Sequence, residues 1–214
     1  MSVVGIVPAA GSGERLGSAG PKAFVVCGGR QLIDWSLDAL RSVCDRVVVA
    51  VPSGFEGTDR IRGGRVRSES VRLALEAAPE ATVAVVHDAA RPLVTPGLVR
   101  ACIDALDGVD GAIAAAPMTD TVKEAARDGR VIRTLDRSVL WRIQTPQVFR
   151  ADVLRRALDV DDTTLAAATD DAALVEAAGG VVRVVEAPPE NIRVVAPRTP
   201  MSCEPLASCS GPVR

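Results

Sequence analysis

Two fixed cations, Arg15 and Lys22, stand seven residues apart in VPAAGSGERLGSAGPKAF, a stretch of small residues following a short apolar run. Small residues at Ala9, Ala10, Gly11 and Gly13, entered from Pro8, let backbone N–H groups approach an anion closely. Arg15 offers a planar fork for phosphate oxygens and Lys22 a point charge. Two cations over one phosphate suit a reaction in which negative charge grows there. The plain alternative is a solvated turn whose charges only keep it soluble. Further along, Asp88 closes the apolar run TVAVVH, with His87 before it and Arg91 after it. Asp88 is placed either to bind Mg2+ (or another divalent cation), directly or through water, or to cap the AAR turn. His87 is the only histidine and is expected to be structural.

These residues need elements to position them. SVVGIV, DRVVVAV, TVAVVH and GAIAAAP read as buried strands, as do GVVRVVE and NIRVV later. QLIDWSLDALRSV puts Ile33, Leu37 and Leu40 on one helical face. TPGLVRACIDAL supplies Thr95 as N-cap and Pro96 at the first helical position. Further helices are expected at 151–159 and 170–178. The alternation predicts an α/β fold, a Rossmann-like, mostly parallel sheet flanked by helices. At about 119–135 the rhythm breaks into a protruding β-hairpin with Asp-Gly as its turn. A lone hairpin cannot bury its own faces, so it is expected to pack on a second subunit. One domain, 1–196, is expected, followed by an atypical, proline-rich tail at 197–214 without helical period.

The loop excludes two familiar nucleotide sites. Gly11 and Gly13 fit the first half of a dinucleotide fingerprint, but the next glycine is Gly17, one place late, and Gly20 and Pro21 break the helix it requires. The Walker register is absent too. A balance of 27 acidic and 25 basic residues gives no basic footprint for nucleic acid or a membrane surface. No apolar run is long enough to span a bilayer. The N-terminus has no targeting pattern, and the five cysteines form no C-x-x-C pair, so the expected setting is cytoplasmic, with the cysteines as core fillers.

PAAGSGERL…PKAF resembles the signature of nucleotidyltransferases that activate sugar and polyol phosphates. GGRVRSESV, VHDAARPLV, DRSVLWRIQTPQVF, TDDAALVEAAGG and ENIRV narrow the likeness to the 2-C-methyl-D-erythritol 4-phosphate cytidylyltransferases of the non-mevalonate isoprenoid pathway, over roughly residues 3 to 195. The resemblance implies transfer of the cytidylyl group of CTP, with release of pyrophosphate. It makes Arg15 and Lys22 the stabilising cations. Pro8, Ala9, Ala10, Gly11, Gly13, Gly64, Arg67, Ser70, Asp88 and Ala89 would bind nucleotide, and Asp88 would bind Mg2+. Asp88, Arg91, Thr121, Arg137 and Arg193 would hold the polyol phosphate, with Arg137 and Arg193 also counted as catalytic. Thr121 and Arg137 would reach the neighbouring subunit of a homodimer. Ser68 or Ser70 is alternatively an N-cap for the helix that follows. Three departures stand out. Arg65 follows GG where the family carries a polar or acidic residue, Arg193 replaces a lysine, and the matching pattern is expected to end near Val195. Ribitol 5-phosphate as acceptor and a non-catalytic nucleotide-binding homologue are the alternatives.

Overall fold

The computed structural model describes residues 1–11 and 21–194. In chain order its elements are β1 (Val3–Pro8), β2 (Val26–Cys27), β3 (Arg30–Gln31), α1 (Leu32–Arg41), β4 (Arg46–Val51), β5 (Arg60–Arg62) and α2 (Arg67–Glu76). Then come β6 (Val83–Val86), α3 (Pro96–Asp104), β7 (Gly111–Pro117), β8 (Lys123–Ala125), β9 (Val131–Thr134) and β10 (Trp141–Arg150). Three helices, α4 (Ala151–Leu158), α5 (Asp162–Ala167) and α6 (Asp171–Ala177), precede β11 (Val182–Glu186).

Among the described residues seven strands form one sheet in the order β11-β7-β10-β6-β1-β4-β5. Every neighbouring pair is parallel except at β10, which runs antiparallel to both β6 and β7. The strands are apolar on both faces because both faces are covered. Val47, Val49 and Val51 pack with Ile33, Leu37 and Leu40 of α1 and Val99 and Cys102 of α3. Val48, one residue out of phase, joins Val71 and Leu75 of α2, Leu154 and Leu158 of α4, and Phe149 on the opposite face. Cys44 and Cys102 are buried in the first of these layers, and burial pushes both thiols up to about 12.

Local signals set several boundaries as expected. The Thr95 hydroxyl accepts from the Leu98 N–H at 3.2 Å, and Pro96 opens α3. The hairpin forms as β8 and β9, a separate two-stranded sheet, with Gly129 at φ +86° in its turn. One expectation fails: residues 191–194 of NIRVV lie outside any strand. Pro188 and Pro189 lead the chain off the sheet after β11, and the Val194 N–H donates to the Ala90 carbonyl in a loop at 2.7 Å. The tail expected at 197–214 lies outside the described residues, as do Gly13, Arg15, Cys203 and Cys209.

Candidate active site

After β1 the chain adds β4 and β5 on one side, then crosses back to place β6 on the other. Strand order therefore reverses between β1 and β6, and the carboxyl ends of the two strands open a crevice of the kind that holds ligands in such sheets. The loops beginning at Ala9, Gly63 and His87 line this edge. Because β10 runs antiparallel, with Gln147 opposite Val86, its Gln144–Pro146 segment projects past β6 on the same edge.

Two loops touch directly. The Ala9 N–H donates to Ala50 O at 2.7 Å and the Gly63 N–H to Val51 O at 2.8 Å, so the loops after β1 and β5 are both anchored on the end of β4. A Cβ on Gly63 would stand 2.3 Å from the Ala10 Cβ, and one on Gly64 would stand 2.3 Å from the Glu69 Cγ. Only glycine fits either contact. The Ser70 hydroxyl accepts from the Gly64 N–H at 3.0 Å and donates to Val66 O at 3.1 Å, fixing the loop from within. Neither serine caps α2, whose N-cap position is Val66; the Ser68 hydroxyl donates to Leu165 O of α5 at 2.9 Å instead. Arg65 pairs with Glu69 at 3.4 Å and with Asp162, tying the same loop to α5.

Asp88 sits at the end of β6 between two guanidinium groups. Its Oδ1 accepts from Arg67 Nε at 3.0 Å, and its Oδ2 lies 3.7 Å from Arg193 Nη2. Burial would raise its pKa, but Arg67 outweighs burial and holds it below the ordinary carboxylate value. The other side of Arg67 is held by Asp171 at 2.6 Å, the first residue of α6 and fully buried. Burial raises Asp171 against the pull of Arg67, because one guanidinium serves two carboxylates. Asp171 Oδ1 has no hydrogen-bond partner among the described residues.

A neutral network backs this edge. His87 is fully buried, and burial lowers it to about 4. A neutral ring with the proton on Nε2 satisfies every contact: Nε2 donates to Arg91 O at 3.2 Å, and Nδ1 accepts from Thr145 Oγ1 at 3.1 Å. Thr145 Oγ1 in turn accepts from the Asp88 N–H at 3.1 Å. Buried Asn191 donates to Gln144 Oε1 at 2.7 Å and Thr145 O at 3.0 Å, while its carbonyl receives Arg91 Nη1 at 2.8 Å. Lys22, opening a short 3-10 turn over Lys22–Phe24, donates to Val194 O.

The structure thus gathers Pro8, Ala9, Ala10, Gly11, Gly64, Arg67, Ser70, Asp88, Ala89 and Arg91 on the loops of one sheet edge, and pairs Arg193 with Asp88. Thr121 and Arg137 lie exposed on the hairpin and just past it, where Arg137 donates to Thr119 O at 2.5 Å. Gly63, Thr145, Asp171 and Asn191 escaped the sequence reading as individual residues. All four lie in stretches that carried the family resemblance (GGRVRSESV, DRSVLWRIQTPQVF, TDDAALVEAAGG and ENIRV), but none was given a role of its own. Asp88 can serve as one hard oxygen ligand: its Oδ2 is beyond hydrogen-bond distance of Arg193, and among the described residues it belongs to no group of three or more carboxylates, histidines or thiols placed to hold a metal.

A small-residue loop at the switch point of a mostly parallel sheet, facing a carboxylate set between two arginines, defines a nucleotide-handling α/β protein. A profile of the 2-C-methyl-D-erythritol 4-phosphate cytidylyltransferase family matches residues 3–204, and the chain belongs to that family, so it is a cytidylyltransferase. The match runs past Val195, where the family pattern was expected to end. The relative of that name from Frankia casuarinae is 43% identical over 223 residues, covering 98% of this chain and 83% of its own. The one from Nocardia farcinica is 41% identical, covering 92% and 90%. The crystal structure of the Thermus thermophilus enzyme superposes with a TM-score of 0.78 at 35% identity, covering 92% of this chain and 94% of that one.

Proposed function

We propose that the chain transfers the cytidylyl group of CTP to 2-C-methyl-D-erythritol 4-phosphate. An acceptor phosphate oxygen attacks the α-phosphorus, the bond to the β-phosphate oxygen breaks, and pyrophosphate leaves. The observation that carries this reading, beside family membership, is the Asp88 carboxylate held ionised at the switch point with Arg67 on one oxygen and Arg193 near the other. No protein nucleophile is needed, so the chain's work is positioning and charge stabilisation.

The Ala9–Gly11 and Gly63–Ser70 loops accept the nucleoside, the close fit of Gly63 against Ala10 keeping them in register. Arg15 and Lys22 draw charge off the α-phosphate, and Arg193, exposed beside Asp88, takes the incoming phosphate. Asp88 would hold Mg2+, since a metal bound mainly by phosphate oxygens and water needs only one or two carboxylates. When bound, it would neutralise triphosphate charge. Two copies of the chain form the working enzyme. The separate β8–β9 sheet leaves Val131 and Ile132 each 55% exposed, a surface that suits a partner and would carry Thr121 and Arg137 into its crevice.

The test is pyrophosphate release from CTP and Mg2+ with methylerythritol phosphate or ribitol 5-phosphate as acceptor. Turnover with the first and at least tenfold less with the second is expected. Equal rates would overturn the acceptor assignment, and silence with both would overturn the function.

A further inference from the structure

We propose that Asp171 is a positioning residue for this reaction: by holding one side of Arg67, it keeps that guanidinium from closing on both oxygens of Asp88. The inference rests on the reading of Asp88 as the triphosphate-side carboxylate and adds a residue outside the crevice to its machinery.

The geometry is a fork with two carboxylates on one guanidinium. Arg67 gives Nε to Asp88 at 3.0 Å and Nη1 to Asp171 at 2.6 Å. A guanidinium with a single carboxylate partner settles into two parallel N–H···O bonds and occupies both oxygens. Here the second set of donors is drawn away, and Asp88 Oδ2 is left with Arg193 at 3.7 Å, a distance open to a ligand. Asp171 itself is fully buried, and its Oδ1 has no hydrogen-bond partner among the described residues. A core position that needed only shape or a cap would be cheaper to fill with a neutral side chain, since an incompletely bonded buried carboxylate is destabilising. The helix cap comes from its neighbour: Asp170 Oδ1 accepts from the Ala173 N–H at 2.9 Å. What Asp171 alone supplies is the second charge on Arg67.

Asp171→Asn keeps the shape and removes the charge. CTP affinity in the presence of Mg2+, read by calorimetry, should weaken about tenfold, and the KM for CTP should rise with it. The KM for methylerythritol phosphate should stay within about twofold, because Arg193 and the hairpin residues are untouched. Arg67→Lys, a compact charge without the planar fork that spans the two carboxylates, should give the same pattern. The two changes together should be no worse than either alone. Leu174→Ala, a core truncation on the same helix, provides a purely structural comparison and should lower the melting temperature with CTP affinity unchanged. A folded Asp171→Asn variant with unaltered CTP affinity overturns the inference, as does an equal loss in Leu174→Ala. Failure of wild type to bind CTP would instead strike the functional reading beneath it. If Asp171→Asn does not fold, additivity or its absence in Arg67→Lys paired with Asp171→Glu decides.

Discussion

At the residue scale, much of the candidate site is held in place by buried groups bonded to other protein groups. His87 is the clearest case, a neutral imidazole that fixes Thr145 and, through it, the Asp88 backbone. Its native pKa of about 4 lies below the ordinary 6.5. The unfolded chain takes a proton as pH falls through 6.5, and the native protein does not until about 4. The stability His87 confers is therefore complete above pH 6.5 and is lost on the way down, amounting to about 3 kcal/mol. Urea denaturation of the apoprotein in EDTA should show a smaller loss between pH 6.5 and 4 in His87→Gln than in wild type. Parallel profiles would mean the ring is charged in the native state. The residue-scale roles were partly readable in advance. His87 was readable as structural because the reaction implied by the family resemblance needs no protein nucleophile for it to activate. Asp171 was not, because its partner Arg67 is 104 positions away and no local pattern records such a pairing.

At the element scale, what could be read locally came out as read. Thr95 and Pro96 mark the start of α3 because capping is settled within one turn. The hairpin turn at Asp128–Gly129 follows from the same locality. The place of β10 could not be read, since nothing in WRIQTPQVF says that it will run antiparallel between two parallel strands. NIRVV misled because its β-branched residues speak of burial, whereas the prolines before it had already taken the chain off the sheet. The contact between the Ala9–Gly11 and Gly63–Gly64 loops belongs to this scale as well. Gly63→Ala forces a methyl to within 2.3 Å of Ala10. It should cost about 1–3 kcal/mol of stability in urea denaturation, and calorimetry should show weaker CTP binding. Wild-type values in both would mean the loops can part without consequence.

For the whole molecule, the sheet is continuous from β11 to β5 while the hairpin stands apart from it. Among the described residues no helix is long and apolar enough to cross a membrane. If the hairpin completes a neighbour's crevice, two inactive variants should restore each other. Mixing Lys22→Ala with Thr121→Ala subunits gives heterodimers in which one crevice has both parts intact. Random pairing should then recover about a quarter of wild-type activity. Recovery of none, with mixed dimers shown to form, would place Thr121 in its own chain's site.

The segment from Asn191 to Val194 has a consequence in time. The loops after β1, β5 and β6 leave the ribosome early, and β10 follows well before the chain reaches residue 191. Arg91, Gln144 and Thr145 meet Asn191, and Lys22 donates to the Val194 carbonyl, only after residues 191–194 have been made. A nascent chain can therefore own most of its sheet while its crevice is still unbraced. A chain stalled or clipped before Asn191 would then carry the sheet without the contacts that brace its crevice.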